Sequence, residues 1–367
     1  MHGWIIIDKP LGLGSTQGVS AVKRALREGG YPKVKVGHGG TLDPLATGVL
    51  PIALGEATKL AGRMLDASKI YNFTISFGTE TDGLDAEGAV VATSDVRPTL
   101  AEVEAILPRF TGPIAQIPPA YSAIKIDGKR AYDRARAGEV VEMKAREVTI
   151  YHLAPKSSPV RGGGPAQPVE GCHPLDNGIP LRHALAGAPP PLAGEDEGLS
   201  PLPLAGGAGG GDELERHSLT DRPTPNPSRK REGLSTITLT AHVSKGTYIR
   251  SLARDIAHAL GTVGHVTMLR RTKAGPFGLD RAISLDILEN HAKARTLEDI
   301  CLPLEAGLDD IPALVLTPDL ARLIRQGRVL DGIAADEGLH CAWDEHGPVA
   351  LVNVEDGNVR VVRGFNL

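Results

Sequence analysis

Asp43 is the residue of this chain whose neighbours best equip it for chemistry. It sits in the run from Gly37 to Ile52, GHGGTLDPLATGVLPI, where three glycines surround His38 and a Thr41-Leu42-Asp43-Pro44 corner precedes an apolar stretch from Val49 to Leu54. Glycine permits backbone conformations closed to other residues, and a following proline disfavours helical geometry at Asp43. A carboxylate fixed in an exposed bend can attack an electrophilic carbon or accept a proton. An aspartate before a proline is also ordinary surface punctuation, and a lone His38 would read as a satisfied turn histidine.

Three further segments carry reactive or cationic groups. In Lys69 to Phe77, KIYNFTISF, strict alternation puts Tyr71, Phe73, Ile75 and Phe77 on one side of a strand, which by pattern alone makes Tyr71 a core residue. Pro118 to Arg136 opens on two prolines and then interleaves aromatic and basic side chains, among them Tyr121, Lys125, Lys129, Arg130 and Tyr132. Exposed bases and backbone phosphates are met by such rings and cations, although Lys125 could equally be a surface lysine. The third segment is SKGTYIRSLARD, Ser244 to Asp255. Ile249, Leu252, Ile256 and Leu260 form an inward helical stripe, and Arg250, Arg254 and His258 fall opposite, which by pattern is a solvated face. From Lys245 to Lys273 six cations, Lys245, Arg250, Arg254, Arg270, Arg271 and Lys273, accompany one acid, Asp255, and predict a local basic patch.

Together these segments resemble the signatures of tRNA pseudouridine synthases of the TruB type. GHGGTLDPLATGVL, with Ala57-Thr58-Lys59-Leu60 downstream, is similar to the family string GHxGTLDPxATGVL, whose aspartate is catalytic and falls on Asp43. Gly39 stands where the family often has threonine or alanine. Lys9-Pro10 falls on the family's KPxG start, and the KxY motif on Lys69-Ile70-Tyr71, which implies that Tyr71 packs against the target base. The block PPxYSAxKxxGxxxYxxAR covers Pro118 to Arg136 and implies an RNA contact for Lys125. SKGTYIRSLARD implies that Arg250 pairs with the catalytic aspartate, and the leucine before Arg270-Arg271 implies that Leu269 lines the base pocket. His38 would help displace the base. Asp85 matches a family aspartate, but its loop, TETDGLDAEG, reads as a hairpin turn and no more.

The resemblance implies isomerisation of a T-loop uridine of tRNA, position 55, to pseudouridine. The base is flipped out, and an aspartate-dependent step cleaves and re-forms the glycosidic bond. It implies no cofactor and no metal, the T-arm of tRNA as partner, and no required protein partner. A guide-RNA-dependent pseudouridine synthase and a non-catalytic tRNA-binding or folding protein are the alternative readings.

At 367 residues the chain can bury a large core. Net charge is -4 at pH 7, so bulk charge gives no reason to expect nucleic acid. Cys172, Cys301 and Cys341 are odd in number and far apart, which argues against a disulfide framework and a zinc site and fits a cytoplasmic protein. No apolar run reaches membrane-spanning length. No apolar stripe is left over, which points to a monomer.

Several elements must position the reactive segments. Trp4 to Ile7 read as a strand; Val19, Val22 and Leu26 define a helix that Ser15 could cap and Gly29-Gly30 stop; Thr99 and Glu102 form a capping box. Strands are expected at Val148 to Leu153 and Thr236 to Val243. Between them, from Pro155 to Gly233, lie 14 prolines, 14 glycines and no Phe, Trp or Tyr, a composition that cannot build a packed core. The expected organisation is a catalytic domain from 1-154 and 235-302, a disordered insertion at 155-234 replacing a hairpin turn, and residues 303-367 as a small PUA-like RNA-binding module. That module should hold a helix from Thr317-Pro318 to Gly327 and three short strands. The fold class is α+β: a mixed, mainly antiparallel sheet of pseudouridine synthase type with flanking helices, plus the C-terminal β module.

Overall fold

The computed structural model describes residues 1–119, 121, 122, 124–126, 128–131, 134, 139, 143–156 and 233–367. The disordered-insertion expectation for 155-234, the glycine-rich run within it and Cys172 fall almost wholly or wholly outside those residues.

Continuous apolar runs buried on both faces form strands β1 (Gly3–Lys9) and β3 (Ala46–Leu54), with the short β2 (Val36–His38) between them, and period-2 alternation shapes β4 (Lys69–Phe77); helix α1 (Ser15–Glu28) follows β1 and the short helix α2 (Ala61–Asp66) precedes β4. A hairpin, β5 (Thr79–Thr81) and β6 (Val90–Thr93), leads to α3 (Leu100–Ile106) and β7 (Gly112–Gln116). Two-residue strands β8 (Lys125–Ile126) and β9 (Lys129–Arg130) pair with one another. Then come β10 (Arg146–Pro155), β11 (Thr236–Val243), helix α4 (Ile249–Ala259), β12 (Gly264–Ala274), β13 (Phe277–Gly278), helix α5 (Leu285–Ala294) and β14 (Leu302–Pro303). The chain ends with β15 (Ala313–Val315), helix α6 (Pro318–Arg325), β16 (Gly338–Asp344), β17 (Gly347–Glu355) and β18 (Asn358–Gly364).

The main sheet runs in the order β14-β1-β3-β12-β4-β11-β10-β7, with β2 on β3 and β13 on β12. All its pairings are antiparallel except β3 with β12, where Leu269 faces Ala46 and Arg271 faces Gly48. That parallel seam sets the strand entered from the Asp43 corner directly against the Leu269-Arg270-Arg271 run. Gly48, at φ +99, is required there, since a Cβ would lie 2.1 Å from the Arg271 carbonyl oxygen.

Two apolar cores cover the face of the sheet that carries Tyr71. One packs α4 and Val103 of α3 on Phe73, Ile75, Phe77 and Leu239; the other packs α1 and α5 on Ile5, Ile7, Leu50 and Ile52. Tyr71 and Leu269 touch both and mark the line where they meet. Alternation thus placed Phe73, Ile75 and Phe77 correctly, at 3 % exposure or less, while Tyr71 is only partly buried. The capping box at Thr99 forms, with the Thr99 N–H donating to Glu102 Oε2 at 2.7 Å. Ser15 does not cap α1; Gly14 holds that position, its N–H donating to Gln17 Oε1. As expected, β10 and β11 pair as antiparallel neighbours, Leu153 facing Ala241.

The fold is α+β, with a small second sheet at the C-terminus in the order β15-β16-β17-β18. Three of its strands were expected; β15 was not, because three residues are too few to show a period. Thr317 caps α6 as expected, accepting from the Leu320 N–H. The second sheet shares a core with the first: Trp4, Ile6 and Phe277 pack with Leu304, Leu308, Cys341, Leu351 and Phe365. Trp4 is fully buried, its ring centroid 5.1 Å from that of Phe277 and its Nε1 donating to the Leu304 carbonyl at 3.2 Å. No helix among the described residues is long and apolar enough to cross a membrane.

Truncating Trp4 would empty the centre of this shared core and orphan the Leu304 carbonyl. Trp4→Ala is expected to cost roughly 3–5 kcal/mol, lowering the melting temperature by on the order of 10 °C for a protein of this size. Circular dichroism melts of the two proteins check this; coincident melts would show that the two sheets do not depend on this contact.

Candidate active site

A cleft of about 340 Å³ opens where the two cores meet, and Asp43, Tyr71, Arg250 and Leu269 line it together with Gly40, Lys69, Arg146, Tyr248 and Arg271. Residues more than 200 positions apart in the chain therefore share one wall.

The corner bearing Asp43 is held by buried donors from three remote segments. Arg271, 1 % exposed, donates from Nε to the Val49 carbonyl at 2.7 Å, from Nη1 to that of Thr41 and from Nη2 to that of Gly40. Lys9, fully buried, donates to the carbonyls of Leu13 at 2.6 Å, Pro10 at 3.1 Å and Pro44 at 3.2 Å. Ser15 exchanges hydrogen bonds with the Leu42 main chain, accepting from its N–H at 2.7 Å and donating to its carbonyl at 3.0 Å. A bend cannot satisfy its own carbonyls as a helix does, so each would cost free energy if buried unpaired. Gly39 fits the same packing: a Cβ there would lie 2.6 Å from Cβ of Met64, so Met64 occupies the space a larger residue would need.

Arg250 meets this corner from α4. Its Nη2 lies 2.8 Å from Asp43 Oδ2 and also donates to the Tyr121 carbonyl at 3.0 Å. At the other end Nη1 donates to Asp85 Oδ2 and to the Gly83 carbonyl, both at 2.8 Å. The Asp43 side chain is 42 % exposed, that of Asp85 18 % and that of Arg250 8 %. Asp85 is thus the anchoring carboxylate, and Asp43 is the one presented to the cleft. The loop that supplies the anchor bends sharply: Leu84 takes φ 59, and the Leu84 N–H donates to the Thr81 carbonyl. A non-glycine residue in that region is uncommon and is held there by its surroundings.

Three sequence expectations need correction. The Asp82-Asp85 loop is more than a hairpin turn, because Asp85 fixes Arg250; its signal was an acidic residue in a glycine-bounded loop, which spacing could not connect to a helix 165 positions away. Helical spacing alone put Arg250 on a solvated face, whereas the resemblance paired it with Asp43; the loops at Gly83 and Tyr121 cover it, and the spacing reading fails. Most of the basic patch is also spent on folding, although Lys273 stays exposed and without an ion pair among the described residues. Arg250 and Arg271 are buried, Arg270 pairs with Asp8 at 2.7 Å, Lys245 with Asp66 at 3.0 Å and Arg254 with Asp255 at 2.7 Å. The counting failed because most of the compensating acids come from distant segments.

His38 ends β2, its Nδ1 accepting from the Gly40 N–H at 3.4 Å, and does not line the cleft. Burial, and secondarily Arg271, holds its pKa below the ordinary imidazole value. Lys125 lies on β8, opposite Arg130 of β9. The loop at Lys9-Pro10 packs against the corner through the buried Lys9. Burial pushes the thiols of Cys301 and Cys341 up to about 11 and about 12, away from the thiolate form. Among the described residues no cluster of His, Cys, Asp or Glu could hold a metal ion.

Residues 25–159 match the family described as TruB family pseudouridylate synthase (N terminal domain), and residues 250–309 match the tRNA pseudouridylate synthase B C-terminal domain. The tRNA pseudouridine synthase B of Novosphingobium aromaticivorans is 55 % identical over 367 residues, covering 100 % of this chain and 98 % of that protein. Its counterpart in Zymomonas mobilis is 49 % identical over 366 residues, covering 100 % of this chain and 96 % of that protein. Among solved structures, a chain of an H/ACA RNP bound to a substrate RNA containing 2'-deoxyuridine superposes with a TM-score of 0.60 at 19 % identity, covering 100 % of this chain and 85 % of that one. At that identity the likeness concerns the fold.

Two buried lysines of the site titrate unusually. Burial, countered by Asp43, lowers Lys9 to about 8; burial, aided by Arg271, lowers Lys69 to about 8. Both folded values lie below the ordinary lysine value of 10.5, so between about 8 and 10.5 the unfolded chain holds more protons and folding is favoured by rising pH. Lys9→Met and Lys69→Met remove one such group each. Denaturant titrations at pH 7.5 and pH 10 are expected to show wild type gaining stability relative to each variant at the higher pH. An unchanged or reversed difference would contradict the burial of these two amines.

Proposed function

The chain belongs to the TruB family and is an isomerase that makes pseudouridine in tRNA; we propose that it acts on the T-loop uridine at position 55, with Asp43 as its catalytic residue. The observation that carries this reading is the ion pair between the half-exposed Asp43 and the buried Arg250, opening on a cleft walled by Tyr71 and Leu269.

The reaction breaks the bond from C1' to N1, turns the uracil in place, joins C5 to C1', and exchanges the C5 proton for one on N1. No atom is gained or lost and no redox change occurs, so the reaction balances without an added reactant. A uridine in a folded stem-loop is inaccessible and must be extruded, at a cost of a few kcal/mol. The cleft, closed on two sides by the α1 and α4 cores, holds one flipped nucleoside. Tyr71 and Leu269 flank its base, and stacking on the tyrosine ring contributes on the order of 1–3 kcal/mol. His38, whose pKa burial holds below the ordinary imidazole value, lies next to Gly40 at the cleft wall and helps displace the base. Asp43 then attacks C1' or removes a sugar proton, and Arg250, immobilised by Asp85, holds the carboxylate in its reacting position. We assign Lys125 to contact with the RNA backbone, residues 303-367 to a PUA-like RNA-binding role, and residues 1-154 and 235-302 to catalysis. The enzyme works as a cytoplasmic monomer on the T-arm with no protein partner.

A guide-RNA-dependent activity and a silent RNA-binding role have less behind them. The relatives sharing about half of this chain's residues over its whole length carry the name tRNA pseudouridine synthase B.

Incubating purified protein with unmodified tRNA transcript and mapping pseudouridine tests the reading. Wild type is expected to convert a single T-loop uridine, and Asp43→Asn none; conversion by Asp43→Asn at the wild-type rate would falsify the role of Asp43. Asp85→Asn leaves Asp43 in place but frees one end of Arg250, so single-turnover rates should fall on the order of a hundredfold while tRNA affinity stays within about threefold. A loss confined to affinity would show that Asp85 serves binding and not the geometry of Arg250.

A further inference from the structure

One cation of the cleft is left unemployed by the chemistry above. Arg271 is filled by three carbonyls, Lys69 donates to the carbonyls of Leu65 and Ala67, and Arg250 carries two carboxylates. Arg250 Nε also lacks a hydrogen-bond partner, but the charge of that guanidinium is already compensated. Arg146 differs. It lines the same cleft, its Nε and Nη2 are buried without a hydrogen-bond partner, and no carboxylate pairs with it among the described residues. Its guanidinium carbon lies 4.8 Å from the ring centroid of Tyr248, which also lines the cleft.

The mounting of this group is rigid. Arg146 is the first residue of β10 and faces Gln116 across the β7 pairing. Gln116 is fully buried and clamps the Tyr248 main chain twice, donating to its carbonyl at 3.1 Å and accepting from its N–H at 2.8 Å. Strand, glutamine and aromatic ring thus form one platform, and the guanidinium sits over the ring with Nε and Nη2 unfilled. A partly buried positive charge with orphaned N–H groups costs free energy until an acceptor arrives. A neutral carbonyl would satisfy a donor yet leave the charge, whereas an anion settles both, and the planar guanidinium edge suits two oxygens of one phosphate. The anionic groups of an RNA substrate are its phosphodiesters.

We propose that Arg146, held over the ring of Tyr248, is a phosphate-binding residue of the cleft that takes the phosphodiester next to the flipped uridine. The inference rests on the reading of the cleft as a uridine site. Its role is to seat the backbone while the base turns, so that C1' stays against Asp43 when the glycosidic bond is open.

The test measures Kd of the full-length protein for a tRNA transcript across a salt series, for wild type, Arg146→Gln and Arg146→Lys. Arg146→Gln is expected to bind about tenfold more weakly and to reduce the slope of log K against log salt by roughly 0.7–0.9, the signature of one lost phosphate contact. Arg146→Lys is expected to keep the slope. In parallel, T-arm RNAs carrying a single uncharged methylphosphonate on either side of the target uridine are bound to wild type and to Arg146→Gln. One of the two should weaken wild type by the same factor and leave Arg146→Gln unaffected. An unchanged salt slope in Arg146→Gln, or equal methylphosphonate penalties in both proteins, overturns the proposal, the former pointing to a neutral contact with the base. If Arg146→Gln fails to fold, the absence of any penalty for wild type on the two modified RNAs overturns it alone. Turnover of the unmodified transcript by wild type separates the cases: no pseudouridine defeats the uridine-site reading itself, whereas normal turnover with an unaltered Arg146→Gln slope defeats only the phosphate contact.

Discussion

The site depends on a guanidinium taken almost wholly out of water. Arg250 keeps its charge in that position because Asp85 and Asp43 lie against its two ends and two carbonyls fill the remaining directions. Burying an ion is expensive, and removing one partner of such a pair leaves an uncompensated charge, so the arrangement tolerates little displacement. Of the two acids only Asp43 keeps much contact with solvent. The pairing therefore does two things at once: it supports α4 against the sheet, and it holds a reactive carboxylate at the floor of an open cleft.

The bend that carries Asp43 needs comparable support, and it comes from inside. A loop exposes carbonyls that a helix or sheet would have paired, and here Arg271, Lys9 and Ser15 supply the missing donors from β12, β1 and α1. The parallel seam of β3 with β12 brings Arg271 within reach of Gly40 and Thr41, and Gly48 lets the two main chains approach closely enough. Lys9 belongs to this scaffold, Lys69 is held nearby by the carbonyls of Leu65 and Ala67, and burial lowers the pKa of both amines.

The cleft exists because the sheet carries two cores on one face and not a single continuous one. Tyr71 and Leu269 stand at the join, touched by both, and this contact from each side leaves them partly buried. A third cluster, centred on Trp4, ties the C-terminal sheet to the β1-β3 side of the main sheet. Rigid walls, a half-exposed acid and an unfilled guanidinium at Arg146 are a pre-organised receptor, in which little ordering remains to be done when an RNA arrives.

Read as a string of letters, the chain already disclosed its reactive blocks, because Gly, Pro, Asp and Tyr in the runs at Asp43 and Tyr71 act through local geometry. Alternation in Lys69 to Phe77 and Thr236 to Val243, and helical spacing at Val19, Val22 and Leu26, were legible for the same reason: pleat and helix are periods of a few residues. Charge was misread wherever its partner was remote. Arg250 looked solvated, Arg271 looked like part of a surface patch, Asp85 looked like a turn and Ser15 like a cap, yet each is engaged with a segment far along the chain. Burial and ion pairing are properties of a neighbourhood in space, and no period along the backbone records which segments will share it. That neighbourhood came from the folded sheet, whose parallel seam and two-core face turned separate blocks into one site.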